Sequence, residues 1–170
     1  MRIPVFVSCP TKLTATQKRS RQIIQSQLDD LQLEARALGR SDYPKDVPLK
    51  EVFTIARHCH GGVVLGFEQL RVSSGKWNVR EKKKPSPSRS KPLSLPTPWN
   101  QLEAGILFGL KLPLLIFREE HVYGGVFDVG TTEVFVHAMP PPRPSQAKRN
   151  ELKEVFLKWH AEVSRAYHSY

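Results

Sequence analysis

The sequence predicts an α/β fold in which helices cover both faces of a five-stranded parallel sheet. Strand-like and helix-like segments alternate along the 170 residues, a pattern typical of repeated strand–helix–strand units. Most of the strand-like segments are apolar throughout, as expected when both faces of a strand are buried. No internal repeat breaks this order, so residues 1–170 are predicted to form a single domain. Five strands in this arrangement favour a flavodoxin-like three-layer sandwich with the strand order 2-1-3-4-5.

Short apolar runs, most of them rich in β-branched residues, predict the strands. The first reads "IPVFVS" and the central one reads "GGVVLGF". Prolines and glycines near the ends of these runs indicate turns and loops. The five predicted strands are residues 3–8, 33–38, 61–67, 112–117 and 134–139.

Apolar residues at helical spacing, together with capping signals, predict four helices. Thr14 and Gln17 have the spacing of a capping box. Pro48 is compatible with the first turn of a helix, and Ser145 suits an N-cap position. The predicted helices lie within residues 11–31 and 47–59, near 99–110, and at about 145–168.

The net charge of +10 is concentrated in one segment. Residues 71–91 hold eight Lys or Arg and one Glu, so they carry +7, and the other 149 residues carry only +3. Pro, Ser and Lys dominate the stretch from about 71 to 96, which predicts a basic low-complexity loop. Two interpretations stay open: contact with nucleic-acid phosphates, and a solvated loop kept soluble by like charges. We favour the second.

The sequence also sets expectations about location and metals. No apolar run reaches the length of a membrane span, and the N-terminus lacks the features of a secretory signal, so a cytoplasmic protein without membrane contact is expected. Two cysteines, Cys9 and Cys59, do not form a disulfide framework. The six histidines have no metal-ligand spacing with cysteine or acid. No metal site and no resident cofactor are therefore predicted.

The predicted topology brings several polar residues to one edge of the sheet. In such sheets ligands bind outside the carboxyl ends of the strands, at the switch point between the first and third strands. Backbone N–H groups at a helix start suit a phosphate, aromatic rings suit a base, and a carboxylate suits ribose hydroxyls or an oxocarbenium-like centre. Glu103 is a candidate for this carboxylate. The predicted substrate-binding residues are Ser8, Cys9, Pro10, Gly66, Phe67, Glu68, Gln69, Trp99 and Asn100, with Trp77 as a further stacking face.

A purely structural role is the alternative for each of these residues. Glu103 lies in the first turn of a predicted helix, where the macrodipole favours an acidic side chain whatever its function. Trp99 can be a core residue, Gly66 can allow a bend, and Ser8 can cap the following helix.

Two segments resemble known families. "VFVS" (residues 5–8) resembles the first strand of Toll/interleukin-1 receptor (TIR) domains, and "PWNQLEAG" (residues 98–105) resembles their tryptophan four residues before a glutamate near a helix start. The run "LEAGILFGLKLPLL" (residues 102–115) is similar to nucleoside 2-deoxyribosyltransferases, in which the glutamate of such a segment is the nucleophile. The resemblance covers about residues 3–117 and implies that Glu103 is the catalytic glutamate.

The resemblance implies a nucleotide-processing enzyme that cleaves the N-glycosidic bond of NAD or a related nucleotide, in bacterial antiphage defence or signalling. The phosphates would lie near residues 8–11, Glu103 would stabilise charge at C1′ of the ribose, and the basic loop would close over the pyrophosphate. One alternative is a non-catalytic nucleotide-sensing or assembly module, because TIR domains commonly self-associate. The other is a nucleoside 2-deoxyribosyltransferase.

Overall fold

The computed structural model of the protein describes residues 2–38, 47–73 and 92–169. Strands and helices alternate along most of these residues. In chain order the elements are β1 (Ile3–Ser8), α1 (Ala15–Asp30), β2 (Leu33–Arg36), α2 (Pro48–Arg57), β3 (Gly62–Gly66), β4 (Leu70–Val72), β5 (Leu93–Leu95), α3 (Pro98–Gly109), β6 (Leu114–Arg118), β7 (Val136–Ala138) and α4 (Gln146–His168), with a 3-10 turn at Gly125–Phe127.

Five of these strands form a parallel sheet in the order β2-β1-β3-β6-β7. Counted within this sheet alone, the order is 2-1-3-4-5, so the predicted α/β fold is confirmed. Each predicted strand is present, but β2 ends at Arg36 and β7 begins at Val136, which makes both edge strands shorter than predicted. Short edge strands are typical of natural sheets because they leave few backbone groups unpaired.

The residues predicted to cap or start helices lie at the starts of α1, α2 and α4. Thr14 and Gln17 exchange both hydrogen bonds of a capping box at the start of α1. Pro48 lies in the first turn of α2, where its missing N–H costs no hydrogen bond. The Ser145 side chain caps α4. None of the described helices combines the length and the apolar character needed to span a membrane.

Helices cover both faces of the sheet and bury an apolar core on each. On one face α1 and α4 pack against the strands, where the rings of Phe117 and Phe156 stack with centroids 5.8 Å apart. On the other face α2 and α3 pack against strand residues that include Phe6 and Ile116. Every residue of the central strand β3 is buried, because its side chains alternate between the two cores. This explains why its sequence is apolar throughout.

The segment predicted as one low-complexity loop, residues 71–96, is structured at both ends. Leu70–Val72 and Leu93–Leu95 pair as a two-stranded antiparallel sheet, with Arg71 opposite Ser94. In both strands an apolar residue alternates with a polar one, which is the period of a strand. That short signal was masked by the surrounding Pro, Ser and Lys residues. The loop prediction was therefore wrong at its two ends, and residues 74–91 lie outside the described residues.

Gly66 ends β3 at the point where the Phe127 ring packs against the sheet. A Cβ atom on residue 66 would lie 2.5 Å from Cε1 of Phe127, closer than side-chain atoms approach one another. Phe127 is fully buried, so its ring has little room to move away. Close packing, rather than an unusual backbone conformation, therefore requires glycine at this position.

We expect Gly66→Ala to lower the free energy of unfolding by about 1–3 kcal/mol, the usual cost of overpacking a core. Gly105→Ala is the matched control, because Gly105 lies in α3 with open space around its Cβ position. There alanine should stabilise the protein by up to ~1 kcal/mol through its higher helix propensity. Urea unfolding measures both changes. A Gly66→Ala protein as stable as the wild type would contradict the described packing of Phe127.

Candidate functional site

The candidate site lies at the carboxyl edge of the sheet, between neighbouring strands β1 and β3. The strand order reverses there, since β2 lies on one side of β1 and β3 on the other. Ser8 is the last residue of β1. The first turn of α3 reaches the same edge, where Asn100 contacts both Ser8 and the Leu65 carbonyl of β3. The fold thus places the start of α3 at the switch point, where ligands bind in sheets of this kind.

The N-cap of α3 sets the orientation of the Asn100 side chain. Thr97 Oγ1 accepts the backbone N–H of Asn100 at 3.2 Å and donates to Asn100 Oδ1 at 3.0 Å. Because Oδ1 is engaged as an acceptor, the amide nitrogen Nδ2 faces the sheet. It donates to Ser8 Oγ at 2.9 Å and to the Leu65 carbonyl at 3.4 Å. A capping residue therefore decides which end of the amide meets Ser8.

Ser8 extends this network to Glu103. A hydroxyl has a single proton. Since Ser8 Oγ accepts from Asn100, it donates that proton to Glu103 Oε2, at 2.5 Å. Thr97, Asn100 and Glu103 follow one another at intervals of three residues, which places them along one side of the start of α3. The hydrogen bonds therefore run in one direction, from Thr97 through Asn100 and Ser8 to the Glu103 carboxylate.

Burial separates the roles of these side chains. Ser8 is 0% exposed and Asn100 is 1% exposed, whereas Glu103 is half-buried. Buried side chains have no surface to offer a substrate, so the prediction of Ser8 and Asn100 as substrate-binding residues was wrong. Their hydrogen bonds orient the Glu103 carboxylate instead. Among Ser8, Asn100 and Glu103, only Glu103 has appreciable exposed surface. A carboxylate held by buried partners at a sheet edge is preorganised to bind or act on a polar ligand.

Glu68, which follows β3, connects the β4–β5 pair to the sheet edge. Its carboxylate accepts a hydrogen bond from the Ser94 hydroxyl and forms a salt bridge with Arg71 at 2.8 Å. The Ser94 hydrogen bond is the main cause that lowers the pKa of Glu68, and Arg71 adds to it against the opposing effect of burial. The carboxylate predicted to bind substrate therefore helps to hold two short strands together.

A cavity of about 310 Å³ opens at the same edge, between the first turn of α1 and the segment after β6. Glu119 contributes to its wall, and Oε2 of Glu119 accepts from the Glu68 backbone N–H at 2.6 Å and from Gln17 Nε2 at 3.0 Å. The lining residues are Thr14, Gln17, Glu68, Arg71, Glu119, Glu120, His121 and Val122, and Glu103 is not one of them.

Neither Glu119 nor Gln17 was among the site residues predicted from the sequence. Glu119 directly follows the end of β6 at Arg118, and this position after a strand was the available signal. The sequence identifies Gln17 only as the partner of Thr14 in the capping box. The Gln17 side chain belongs both to the helix cap and to the cavity wall. Its Oε1 accepts from the Thr14 N–H, and its Nε2 donates to Glu119.

The predicted aromatic residues have different surroundings. Phe67 is 0% exposed and belongs to the core under α1 and α4. Its prediction as a wall for a base was wrong, because the ring has no surface to offer a ligand. Trp99, in the first turn of α3, is 43% exposed. Trp77 lies outside the described residues.

The remaining predicted residues follow β1 and β3. Cys9 is half-buried, and its Sγ donates to the Pro10 carbonyl at 3.5 Å. Pro10 is buried. Gln69 is exposed, and its Nε2 donates to the Glu68 carbonyl at 3.0 Å. Both of these contacts join residues that are adjacent in the sequence.

We expect Asn100→Ala to lower the free energy of unfolding by about 1–3 kcal/mol, because it removes the amide that donates to the buried Ser8 hydroxyl. Asn150→Ala is the matched control, since Asn150 is exposed on α4 and such surface changes usually stay within about 0.5 kcal/mol. Chemical unfolding compares the two. Equal stabilities of the two variants would show that the buried network contributes nothing.

The lowered pKa of Glu68 gives a pH dependence with a defined sign. A carboxyl group whose pKa is lowered on folding stabilises the protein above its ordinary pKa, and this contribution is lost as the pH falls through the folded value. We therefore expect the stability advantage of the wild type over Glu68→Gln to shrink as the pH falls below the ordinary glutamate pKa of about 4.3. Ser94→Ala, which removes the main cause of the shift, should show the same trend. An advantage that grows on acidification would contradict this account.

Comparison of the chain with protein-family models, with curated proteins and with solved structures finds no match. The observations that bear on function are therefore the residues at the carboxyl edge of the sheet, and above all the network that ends at Glu103.

Proposed function

We propose that this chain is a nucleotide-processing, TIR-like enzyme that cleaves the N-glycosidic bond of NAD or a related nucleotide, in bacterial defence or signalling. The orientation of Glu103 is the observation that carries the proposal. Its carboxylate is half-buried at the switch point of a parallel sheet, 2.5 Å from the hydroxyl of the buried Ser8. The segment that contains it, "PWNQLEAG", resembles the TIR pattern around a catalytic glutamate.

Glu103 would act on the ribose carbon C1′. In oxidised NAD the C1′–N bond joins the ribose to a positively charged nicotinamide ring. When this bond breaks, its electron pair goes to the ring nitrogen, and neutral nicotinamide leaves without needing a proton. The Glu103 carboxylate would stabilise the oxocarbenium-like charge that develops at C1′. Water then adds to C1′ and loses a proton, which completes the hydrolysis.

Ser8 and Asn100 would contribute by restricting the Glu103 side chain. A carboxylate that already has its working orientation needs little rearrangement when charge develops next to it. Each preceding group in the network is itself fixed, since Thr97 holds the Asn100 amide and Asn100 holds the Ser8 hydroxyl.

The basic segment is the part of this edge that suits a nucleotide phosphate. The start of α1 suits it less, because the Glu119 carboxylate accepts a hydrogen bond from Gln17 in the first turn and offsets the positive end of the helix dipole. The basic segment 71–91 is joined to β4 and β5, and their pairing returns the chain to the edge from which it departs. Basic residues of this segment would add charge complementarity to the pyrophosphate.

A nucleoside 2-deoxyribosyltransferase activity is a second candidate, favoured by the acidic side chains at the same edge. Glu68, Glu119 and Glu120 all line the neighbouring cavity. Like charges repel, so these carboxylates disfavour a pyrophosphate close to them and favour an uncharged nucleoside. In this reaction Glu103 would attack C1′ of the deoxyribose while the C1′–N bond breaks, and the leaving base would take up a proton. A second base would then displace Glu103 from C1′ and give up a proton.

A non-catalytic assembly module is favoured by the outer face of α3. Trp99, Leu102 and Phe108 are 43%, 48% and 52% exposed, although all are large and apolar. Exposed apolar side chains on one helix are typical of a surface that contacts another molecule. Self-association through α3 would be compatible with either a sensor or an enzyme.

Release of nicotinamide from NAD tests the leading proposal. Purified protein at high concentration should release nicotinamide, measured by liquid chromatography, and Glu103→Gln should lower the rate by about 100-fold or more, the usual contribution of such electrostatic stabilisation. Glu154→Gln is the control, because it makes the same chemical change on an exposed residue of α4. Its rate should equal that of the wild type.

The outcomes separate the three candidates. Base exchange between two nucleosides, without release of nicotinamide from NAD, would indicate the transferase. No turnover of either substrate by the wild type, even at concentrations that favour assembly, would reject both enzymatic candidates. Turnover that survives in Glu103→Gln would contradict the assignment of this residue.

A further inference from the structure

We propose that the cavity between α1 and the end of β6 is a second binding site, for an uncharged sugar or similar polyol, with Glu119 as its main hydrogen-bond acceptor. The cavity volume of about 310 Å³ is at the lower end of the usual range for small-molecule sites, about 300–1,000 Å³. This size suits a monosaccharide or the sugar of a nucleoside better than a dinucleotide. The site does not depend on the proposed cleavage reaction, because Glu103 does not line the cavity.

The Glu119 carboxylate is fixed at one oxygen. Its Oε2 accepts hydrogen bonds from the Glu68 backbone N–H at 2.6 Å and from Gln17 Nε2 at 3.0 Å. An ionised carboxylate offers about four acceptor positions over its two oxygens. Both hydrogen bonds that the described residues make to the Glu119 side chain end on Oε2. The acceptor positions of Oε1 are therefore left for a ligand in the cavity that this side chain lines.

Gln17 makes this arrangement rigid. It is only 6% exposed, and each polar atom of its amide has a partner. Its Oε1 accepts the Thr14 N–H at 3.0 Å, while its Nε2 donates to the Glu68 carbonyl at 3.1 Å and to Glu119. The amide cannot rotate without leaving buried polar groups unsatisfied. The buried Gln17 side chain therefore fixes the Glu119 carboxylate at the cavity wall.

The wall offers both donors and acceptors of hydrogen bonds. The Thr14 hydroxyl and the Arg71 guanidinium are donors, while Glu119 and Glu120 are acceptors. Sugar hydroxyls both donate and accept, so they can satisfy such a mixed wall. A phosphate would be repelled by Glu119 and Glu120. No group of three or more His, Cys, Asp or Glu side chains among the described residues could hold a metal ion, which argues against a metal at this wall.

Isothermal titration calorimetry on the full chain tests this proposal with D-ribose and adenosine as probes. Both should bind, whereas adenine and inorganic phosphate should not. Glu119→Gln should weaken ribose binding by about 10- to 100-fold, as expected for the loss of a hydrogen bond to a charged group. The glutamine can still accept from Gln17 and from the Glu68 N–H, so the wall should keep its shape.

Two matched variants locate the ligand. Glu120→Gln removes the same charge from the rim of the cavity, on a side chain that is 87% exposed, and should weaken ribose binding much less than Glu119→Gln. Glu103→Gln should leave ribose binding unchanged, so that loss of turnover and loss of ribose binding are distinguishable. Ribose binding that Glu103→Gln removes and Glu119→Gln retains would place the ligand at the Ser8 network and overturn the proposal.

Other binding results would also overturn the proposal. No binding of ribose or adenosine, or tighter binding of spermidine or Mg²⁺ than of ribose, would overturn it. If Glu119→Gln does not fold, the NMR signal of the Glu68 backbone amide in the wild type gives a second measurement. That amide donates to Glu119, so its signal should shift as ribose binds. An unchanged signal at saturating ribose would also count against the site.

Discussion

The hydrogen bond from Ser8 to Glu103 is the contact on which the candidate site depends. It joins two residues 95 positions apart in the chain, one at the end of a strand and one in a helix. It forms only because the parallel sheet places the end of β1 beside the start of α3, and because Thr97 and Asn100 leave Ser8 a single direction for its proton. The orientation of the Glu103 carboxylate therefore depends both on the sheet topology and on the N-cap of α3.

This network gives the start of α3 an unusual polarity, although Ala104 and Leu107 further along the helix are buried in the core as usual. In most surface helices the apolar face is buried and the polar face meets water. In α3 the polar Asn100 and Glu103 face the sheet or its edge, while Trp99, Leu102 and Phe108 are exposed. Burying polar side chains is tolerable only when their hydrogen bonds are satisfied. The Asn100 amide meets this condition with partners on both of its ends, which argues against the network being incidental.

The fold could be predicted from the sequence because its signals are repeated and local: apolar strands, capping residues and the alternation of strand and helix. The site could be predicted only in part. Topology brought Ser8 and Glu103 to one edge, but no sequence pattern shows that Ser8 is buried or that Phe67 belongs to the core. The sequence does not indicate Glu119, because the side chain that orients it belongs to Gln17, which is 102 residues away in the chain. Contacts of that range are set by packing rather than by local pattern.

The pairing of β4 with β5 has a consequence for how this protein can vary. The two strands bring the ends of the intervening segment together, and Glu68 and Ser94 fasten that junction to the sheet edge. The entropic cost of closing a loop grows slowly with its length, by about 0.6 kcal/mol for each doubling. A segment closed in this way can be lengthened, shortened or recomposed at small cost to stability. Variants of this chain with a longer or shorter segment between β4 and β5 are therefore expected to keep the same sheet.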